Sequence, residues 1–316
     1  MLQGRFTGKS KRASTLSRRL AVALVLVTVG CASPLPPPER PDIPFGEGRI
    51  WQIERAGQPT SWAFGTIHVT DPRVFDLPAA ADTAFEDSDI AVFEVDYRRR
   101  SSREELNEIF YLPEGQSLRD VVGFDTYRDM QRLMRTEGMY WYGYHRRQPW
   151  VAWMALSNRE ILVDLQSDSE RPVLADWLLL QARKAGKEVA FLETDVEQWR
   201  VLSGIPMDHQ VSMLRSTIDT YYSARTRVET VNIYLAGDLA MRYALWRRSL
   251  SHMKPAAAET YHRRLISDRN RLMVERALPM MAKASVFLAV GAIHMPGEDG
   301  ILQLLVDRGF TVTRLE

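Results

Sequence analysis

Four short apolar segments, each followed by a histidine or a glutamate, constrain the fold of this chain more than any other feature. They occupy residues 62–64, 90–93, 187–192 and 286–290. Each is rich in β-branched or aromatic residues, which is typical of a strand buried on both faces of a sheet. Such strands need a helical layer on either side. The pattern therefore predicts an α/β fold with a central mixed sheet and flanking helices.

Amphipathic segments between these strands predict the helices. They cover residues 103–135, 151–165, 177–184, 207–235 and 258–284, and a helix at 301–307 precedes a last strand at 310–315. The longer segments predict a helical insertion, with clusters of aromatic residues at 140–144 and 150–153. These aromatic residues either pack between helices or line a cleft beneath a helical lid.

The residues at the ends of the four strands are the candidate site. The motif Gly-x-x-His occurs twice directly after an apolar run, at residues 65–68 and 291–294, and the other two runs lead into Glu94 and Glu193. Glycine has no Cβ and allows the backbone to turn or approach closely at such a point. Ligands of open α/β sheets bind beyond the carboxyl ends of the strands, so we expect these side chains to converge there.

The two glutamates need a positive partner, because an unpaired buried carboxylate costs several kcal/mol. A salt bridge to Arg269 or Arg271 is one solution, and a metal ion is the other. Neutral imidazoles together with carboxylates suit zinc, manganese, cobalt or iron(II). Such an ion would activate a water molecule, and a second carboxylate would act as general base. The sequence leaves open which glutamate is the ligand and which is the base.

Several classes of enzyme are excluded or disfavoured. The sequence has no His-Glu-x-x-His motif, which excludes a helical zincin site. It also has neither a Gly-x-Ser-x-Gly elbow nor a P-loop, which disfavours a serine hydrolase of the lipase type and a P-loop NTPase.

The first thirty residues predict a signal peptide with a lipobox. A basic segment is followed by a short apolar run and then by Gly30-Cys31, which contains the only cysteine of the chain. We expect Cys31 to be lipidated, with a proline-rich tether over residues 31–48 and the folded domain over 49–316. Ala32 in place of aspartate favours the outer membrane of a bacterial cell envelope, on its periplasmic face.

The charge of the chain separates into two unlike parts. The net charge is +1, but six of the 41 basic residues and none of the 40 acidic residues fall within residues 1–30. The remainder carries 35 basic and 40 acidic residues, a formal charge of −5. A mildly acidic body argues against nucleic acid as a partner. The expected partners are a membrane, through the lipid anchor, and a peptide or protein substrate.

The same motifs resemble those of the TraB/GumN family, which is similar to the Tiki metalloproteases. The segments that carry the resemblance are 51–53, 64–69, 93–96, 192–194, 268–270 and 290–297. The resemblance implies a fold related to the erythromycin-esterase and ChaN-like proteins. For the Tiki branch it implies metal-dependent peptide cleavage.

Residue pattern and resemblance together predict a membrane-anchored metallohydrolase of the peptidase type. The predicted ligands of a manganese, cobalt or zinc ion are His68, Glu94 and His294. Glu193 is the predicted general base, and Arg269 or Asn270 is predicted to stabilise the oxyanion. The alternative is a non-enzymatic envelope protein that binds haem, a peptide or another protein.

Overall fold

The computed structural model describes residues 38–96, 102–157, 172–219, 224–251 and 253–316. The predicted signal peptide, Cys31 and the first part of the tether lie outside these residues. So do the end of the helix predicted at 151–165 and a short part of the segment 207–235.

Six strands form one mixed sheet in the order β4-β3-β5-β2-β1-β6. The strands are β1 (Ile50–Glu54), β2 (Ser61–Thr66), β3 (Ile90–Phe93), β4 (Glu188–Phe191), β5 (Val286–Gly291) and β6 (Thr311–Arg314). The four strands predicted from apolar runs, β2 to β5, are adjacent and parallel, whereas β1 pairs antiparallel with both β2 and β6. The predicted α/β class with a mixed sheet is confirmed.

Helices and loops connect these strands in the described chain. They are α1 (Ala79–Asp87), α2 (Arg103–Phe110), α3 (Leu118–Val122), α4 (Phe124–Thr136), α5 (Pro149–Ser157), α6 (Leu174–Lys184), α7 (Asp195–Ser203), α8 (Met207–Asp219), α9 (Ala224–Leu235), α10 (Leu239–Ser249), α11 (Pro255–His262), α12 (Asp268–Met281) and α13 (Ile301–Val306). None of the helices in these residues combines the length and apolar character needed to span a bilayer.

Two of the predicted helices are interrupted. The segment 103–135 forms three helices, α2 to α4, because Pro113 lies in the first connection and Gly123 adopts a φ of +83° between α3 and α4. The segment 258–284 contains a π-helical turn, Arg263–Ser267, between α11 and α12. Such turns insert an extra residue into a helix and often occur at functional sites.

The buried apolar residues form two clusters. One packs on both faces of the sheet, and all six residues of β5 at its centre are buried. The other lies within the helical region, where Trp150 stacks on Trp199 at 5.9 Å between ring centroids. Trp150 and Trp153 are buried in this second cluster and therefore pack between helices. Tyr140 and Tyr142, by contrast, are exposed.

Candidate functional site

The parallel strands bring the two glutamates side by side. Glu94 directly follows β3, and Glu193 lies two residues beyond β4. The ladder between these strands continues past their ends, where the backbone N–H of Glu193 donates to the carbonyl of Glu94 at 2.8 Å. Both carboxylates therefore emerge at the carboxyl edge of the sheet, and the Glu193 side chain is almost fully buried.

Both glycines of the Gly-x-x-His motifs lie where the backbone is closely approached. A Cβ on Gly65 would lie 3.2 Å from Cα of Ala292, and a Cβ on Gly291 would lie 3.1 Å from Oε1 of Glu94. The absence of a side chain at Gly291 also lets its N–H reach that oxygen at 2.6 Å. The glycines thus allow the two strand ends and the Glu94 carboxylate to pack together.

Arg269, on α12, joins three of the predicted site residues. Its guanidinium donates to both oxygens of Glu193, from Nε at 3.0 and 3.1 Å and from Nη2 at 2.6 Å. Nη2 also donates to Oε2 of Glu94 at 2.8 Å. Nη1 lies 3.2 Å from Nε2 of His294. One buried cation therefore contacts two carboxylates and an imidazole.

The hydrogen bonds of Asn270 fix the tautomer of His294. Asn270 donates from Nδ2 to the backbone carbonyls of His294 at 3.3 Å and Asp299 at 2.7 Å, so its amide oxygen must face the imidazole. That oxygen lies 2.6 Å from Nδ1 of His294. Nδ1 therefore carries the proton, and Nε2 presents its lone pair to Arg269. This is the arrangement expected of a metal-binding histidine whose other nitrogen is held by an outer-shell partner.

His68 completes the cluster from the end of β2. It lies close enough to Glu94 and Arg269 for both charges to act on its titration. Its imidazole makes no hydrogen bond to any residue in the described part of the chain. His68 and His294 come from the two Gly-x-x-His motifs, which β2 and β5 bring side by side as parallel neighbours.

Burial and charge set the protonation states in this cluster. Burial lowers the pKa of His294 to about 3, helped by Arg269, and burial also lowers the pKa of His68. Burial alone would raise the pKa of Glu94, but positive charge on His294, Arg269 and His68 and the N–H of Gly291 hold it at about 2. Burial raises the pKa of Glu193 despite its contact with Arg269. At neutral pH both imidazoles are therefore neutral and Glu94 is ionised.

These residues fit a divalent ion in kind and in protonation state. Two neutral imidazoles and one ionised carboxylate are the forms in which such ligands bind a metal. Arg269, however, contacts Oε2 of Glu94 and Nε2 of His294, which are two of the atoms that would bind the ion. Accordingly, the described residues contain no group of three ligands already assembled for a metal. Binding through this set requires the guanidinium to withdraw from both atoms.

Of the two arginines considered as salt-bridge partners, Arg269 pairs with both glutamates. Arg271 instead faces solvent and contacts Asp268 and Asp299. Both N–H groups of Asn270, a predicted stabiliser of the oxyanion, donate to carbonyls in this structure. It positions His294. No signal in the sequence distinguishes the two roles, since they require the same side chain.

We expect the metal-free protein to lose stability as the pH falls below about 6.5. The folded pKa of His294 lies below its unfolded value of 6.5, so between 6.5 and about 3 the unfolded chain binds a proton that the folded chain does not. Each such group contributes a slope of about 1.4 kcal/mol per pH unit. His68 acts in the same direction, and Glu193, whose pKa is raised, opposes it. Urea unfolding in a chelator, at several pH values, measures the slope.

The matched controls are His294→Gln and His145→Gln. The first removes a titrating group of the cluster and should reduce the slope more than the second, which changes an exposed histidine outside the cluster. An identical slope in the His294→Gln variant would contradict the assigned protonation state.

The fold and the cluster define a class of protein: an α/β protein with a buried group of histidine, glutamate and arginine at the carboxyl edge of its parallel strands. The chain belongs to the TraB/PrgY/gumN family, whose model matches residues 49–314. This confirms the family that the motifs suggested.

The chain is also similar to proteins named as metalloproteases. It is 27% identical over 317 residues to the metalloprotease TIKI1 of Xenopus tropicalis, which covers 83% of this chain and 60% of the relative. It is 26% identical to the metalloprotease TIKI2 of Danio rerio with the same coverage, and 27% identical to human TIKI1, with 83% and 61% covered. The chain thus spans about 60% of the length of these curated relatives. No solved structure matches it significantly.

Proposed function

We propose that this protein is a metal-dependent hydrolase that cleaves peptides. The observation that carries the proposal is the buried cluster at the carboxyl edge of the sheet, where Arg269 contacts Glu94, Glu193 and His294 at once. The names of its relatives, which are metalloproteases, support the same function. When bound, a manganese, cobalt or zinc ion supplies a Lewis acid and an activated water as nucleophile.

His68, Glu94 and His294 would hold the ion. Glu94 stays ionised well below neutral pH, as a ligand must. Asn270 holds the Nδ1 proton of His294 and so keeps the Nε2 lone pair turned into the cluster. The other carboxylate, Glu193, has a raised pKa, which suits a group that accepts and returns a proton near neutral pH. These two pKa shifts support Glu94 as the ligand and Glu193 as the base in this proposal.

Arg269 contributes charge in this proposal. Its guanidinium is buried beside both carboxylates, where a cation acts more strongly than in water. After the guanidinium withdraws from Glu94 and His294, it would remain paired with Glu193 through Nε. There it would stabilise the negative charge that develops on the carbonyl oxygen of the amide during cleavage. Asn270 has no part in this step, because its amide is committed to His294 and Asp299.

The protein is further proposed to act at a membrane surface. The support lies in the sequence alone, where a basic segment and an apolar run precede Cys31. A diacylated cysteine would hold the domain at the periplasmic face of an envelope membrane, with residues 31–48 as the tether.

Digestion of a peptide library, followed by mass spectrometry, tests the proposal. We expect the full chain to cleave peptides with manganese or cobalt present. A chelator should abolish cleavage, and the double variant His68→Ala/His294→Ala should lack it. A matched control, His145→Ala, changes an exposed histidine and should cleave as the wild type does.

If no peptide were cleaved with any of the ions, the peptidase proposal would be contradicted. Binding of peptides or haem without cleavage would then favour the non-enzymatic alternative. A haem titration followed by absorbance separates these outcomes, because histidine ligation shifts the Soret band.

A further inference from the structure

A polar cavity of about 370 Å³ lies in the helical part of the protein. Tyr243 and Arg247 of α10 form one side. His262 at the end of α11 and Arg263 of the π-helical turn form another. The hydroxyl of Tyr243 lies 2.9 Å from Nε2 of His262, which ties the two sides together.

The charges around this cavity do not balance. Arg247, Arg263 and Arg271 line it, against two carboxylates, Glu259 and Asp299. Asp299 is already engaged: it accepts a hydrogen bond from Ser267 at 2.7 Å and one from Arg271 at 3.3 Å.

Arg247 and Arg263 differ from Arg271, which is paired with Asp299. Within the described residues, neither Arg247 nor Arg263 has a carboxylate at salt-bridge distance, although both lie at the cavity. Burial, with Arg247 nearby, lowers the pKa of His262, so that imidazole adds no charge at neutral pH. Among the described residues, the cavity therefore presents two exposed guanidinium groups without a salt-bridge partner, beside hydroxyl and imidazole groups and the carboxylate of Glu259. Guanidinium groups recognise carboxylates through paired, charge-assisted hydrogen bonds.

The cavity is connected to the cluster through one residue. The side chain of Asp299 lines the cavity, and its backbone carbonyl accepts a hydrogen bond from Asn270 at 2.7 Å. Asn270 in turn positions His294. The π-helical turn that carries Arg263 also leads directly into α12, where Arg269 and Asn270 lie. Helix α12 thus contributes Arg271 to the cavity and Arg269 and Asn270 to the cluster.

We propose that this cavity is a substrate subsite that binds a carboxylate of a peptide on Arg247 and Arg263. The carboxylate is either the free C-terminus or an acidic side chain. The inference rests on the proposed peptidase function, because it names the substrate class of that site. It assigns the cavity the role of selecting acidic peptides and fixing their position against the cluster.

Peptide binding to the full chain in a chelator tests the subsite without turnover. The probes are short N-terminally labelled alanine peptides with a free or an amidated C-terminus, and amidated peptides that differ by Asp or Asn. We expect fluorescence polarisation to show at least about tenfold tighter binding of one acidic form than of its neutral partner. The acidic peptide that binds more tightly than its neutral partner shows whether the carboxylate is the C-terminus or an acidic side chain.

Two double variants test whether the cavity arginines cause the preference for acidic peptides. In Arg247→Gln/Arg263→Gln the preference should disappear. In Arg103→Gln/Arg119→Gln, which removes two exposed arginines outside the cavity, it should persist. Equal binding of acidic and neutral peptides by the wild type, or a preference that survives in the cavity variant, would overturn the subsite. Cleavage without any charge preference would contradict the subsite but support the peptidase proposal. Charge-selective binding without cleavage would support a carboxylate site but contradict the peptidase proposal.

Discussion

Replacing Arg269 with alanine should destabilise the metal-free protein by about 3–5 kcal/mol at neutral pH. Arg269 is the cation of a buried cluster, and its loss leaves Glu94 and Glu193 without their shared partner. Both side chains are largely buried, so water cannot replace the lost contacts. Urea unfolding in a chelator measures the change in the free energy of unfolding.

Two further variants separate this effect from general damage. Arg271→Ala removes an exposed arginine two residues along the same helix, and we expect a change of at most about 1 kcal/mol. The triple variant Arg269→Ala/Glu94→Gln/Glu193→Gln also removes the two unpaired carboxylates and should be more stable than Arg269→Ala.

Manganese should stabilise Arg269→Ala more than it stabilises the wild type, because the guanidinium no longer competes for Glu94 and His294. A manganese effect no larger than that on the wild type would contradict this competition.

Substituting the two glutamates should separate metal binding from cleavage. In Glu94→Gln we expect metal affinity to fall by at least about a hundredfold, since a neutral amide replaces an ionised ligand. In Glu193→Gln we expect affinity to change little and the rate of cleavage to fall by about 10²–10⁴, as for loss of a general base. Metal titration and single-turnover cleavage measure the two quantities.

The control for this pair is Glu188→Gln, an exposed glutamate on β4, which should alter neither quantity. If Glu193→Gln lost the metal and Glu94→Gln retained it, the two roles would be exchanged. If both variants lost the metal, Glu193 would be a ligand and the cluster would need another base.

Much of the site could be predicted because its residues follow strands. Apolar runs identify β2 to β5, and parallel strands necessarily bring their carboxyl ends to one edge, which places Glu94, Glu193 and His294 near one another. The glycines at 65 and 291 could be predicted as points of close approach for the same reason. These inferences depend on the periodicity of the chain and on general rules for sheets.

The contacts that α12 makes could not be predicted. The sequence offers Arg269 and Arg271 as equivalent partners, and the packing of α12 decides which of them turns into the cluster. The hydrogen bonds of Asn270 depend on the position of the Asp299 carbonyl, which belongs to a loop of no regular pattern. The cavity beside Tyr243 and His262 is likewise formed by helices distant in sequence, and isolated polar residues give no sign of it.

The metal content of the full chain tests the central claim most directly. After loading with manganese, cobalt or zinc and removal of the excess, elemental analysis should find close to one ion per wild-type chain and only a trace in His68→Ala/His294→Ala. The His145→Ala control should match the wild type. Equal trace amounts in the wild type and the double variant would contradict a metal site built from the two Gly-x-x-His motifs.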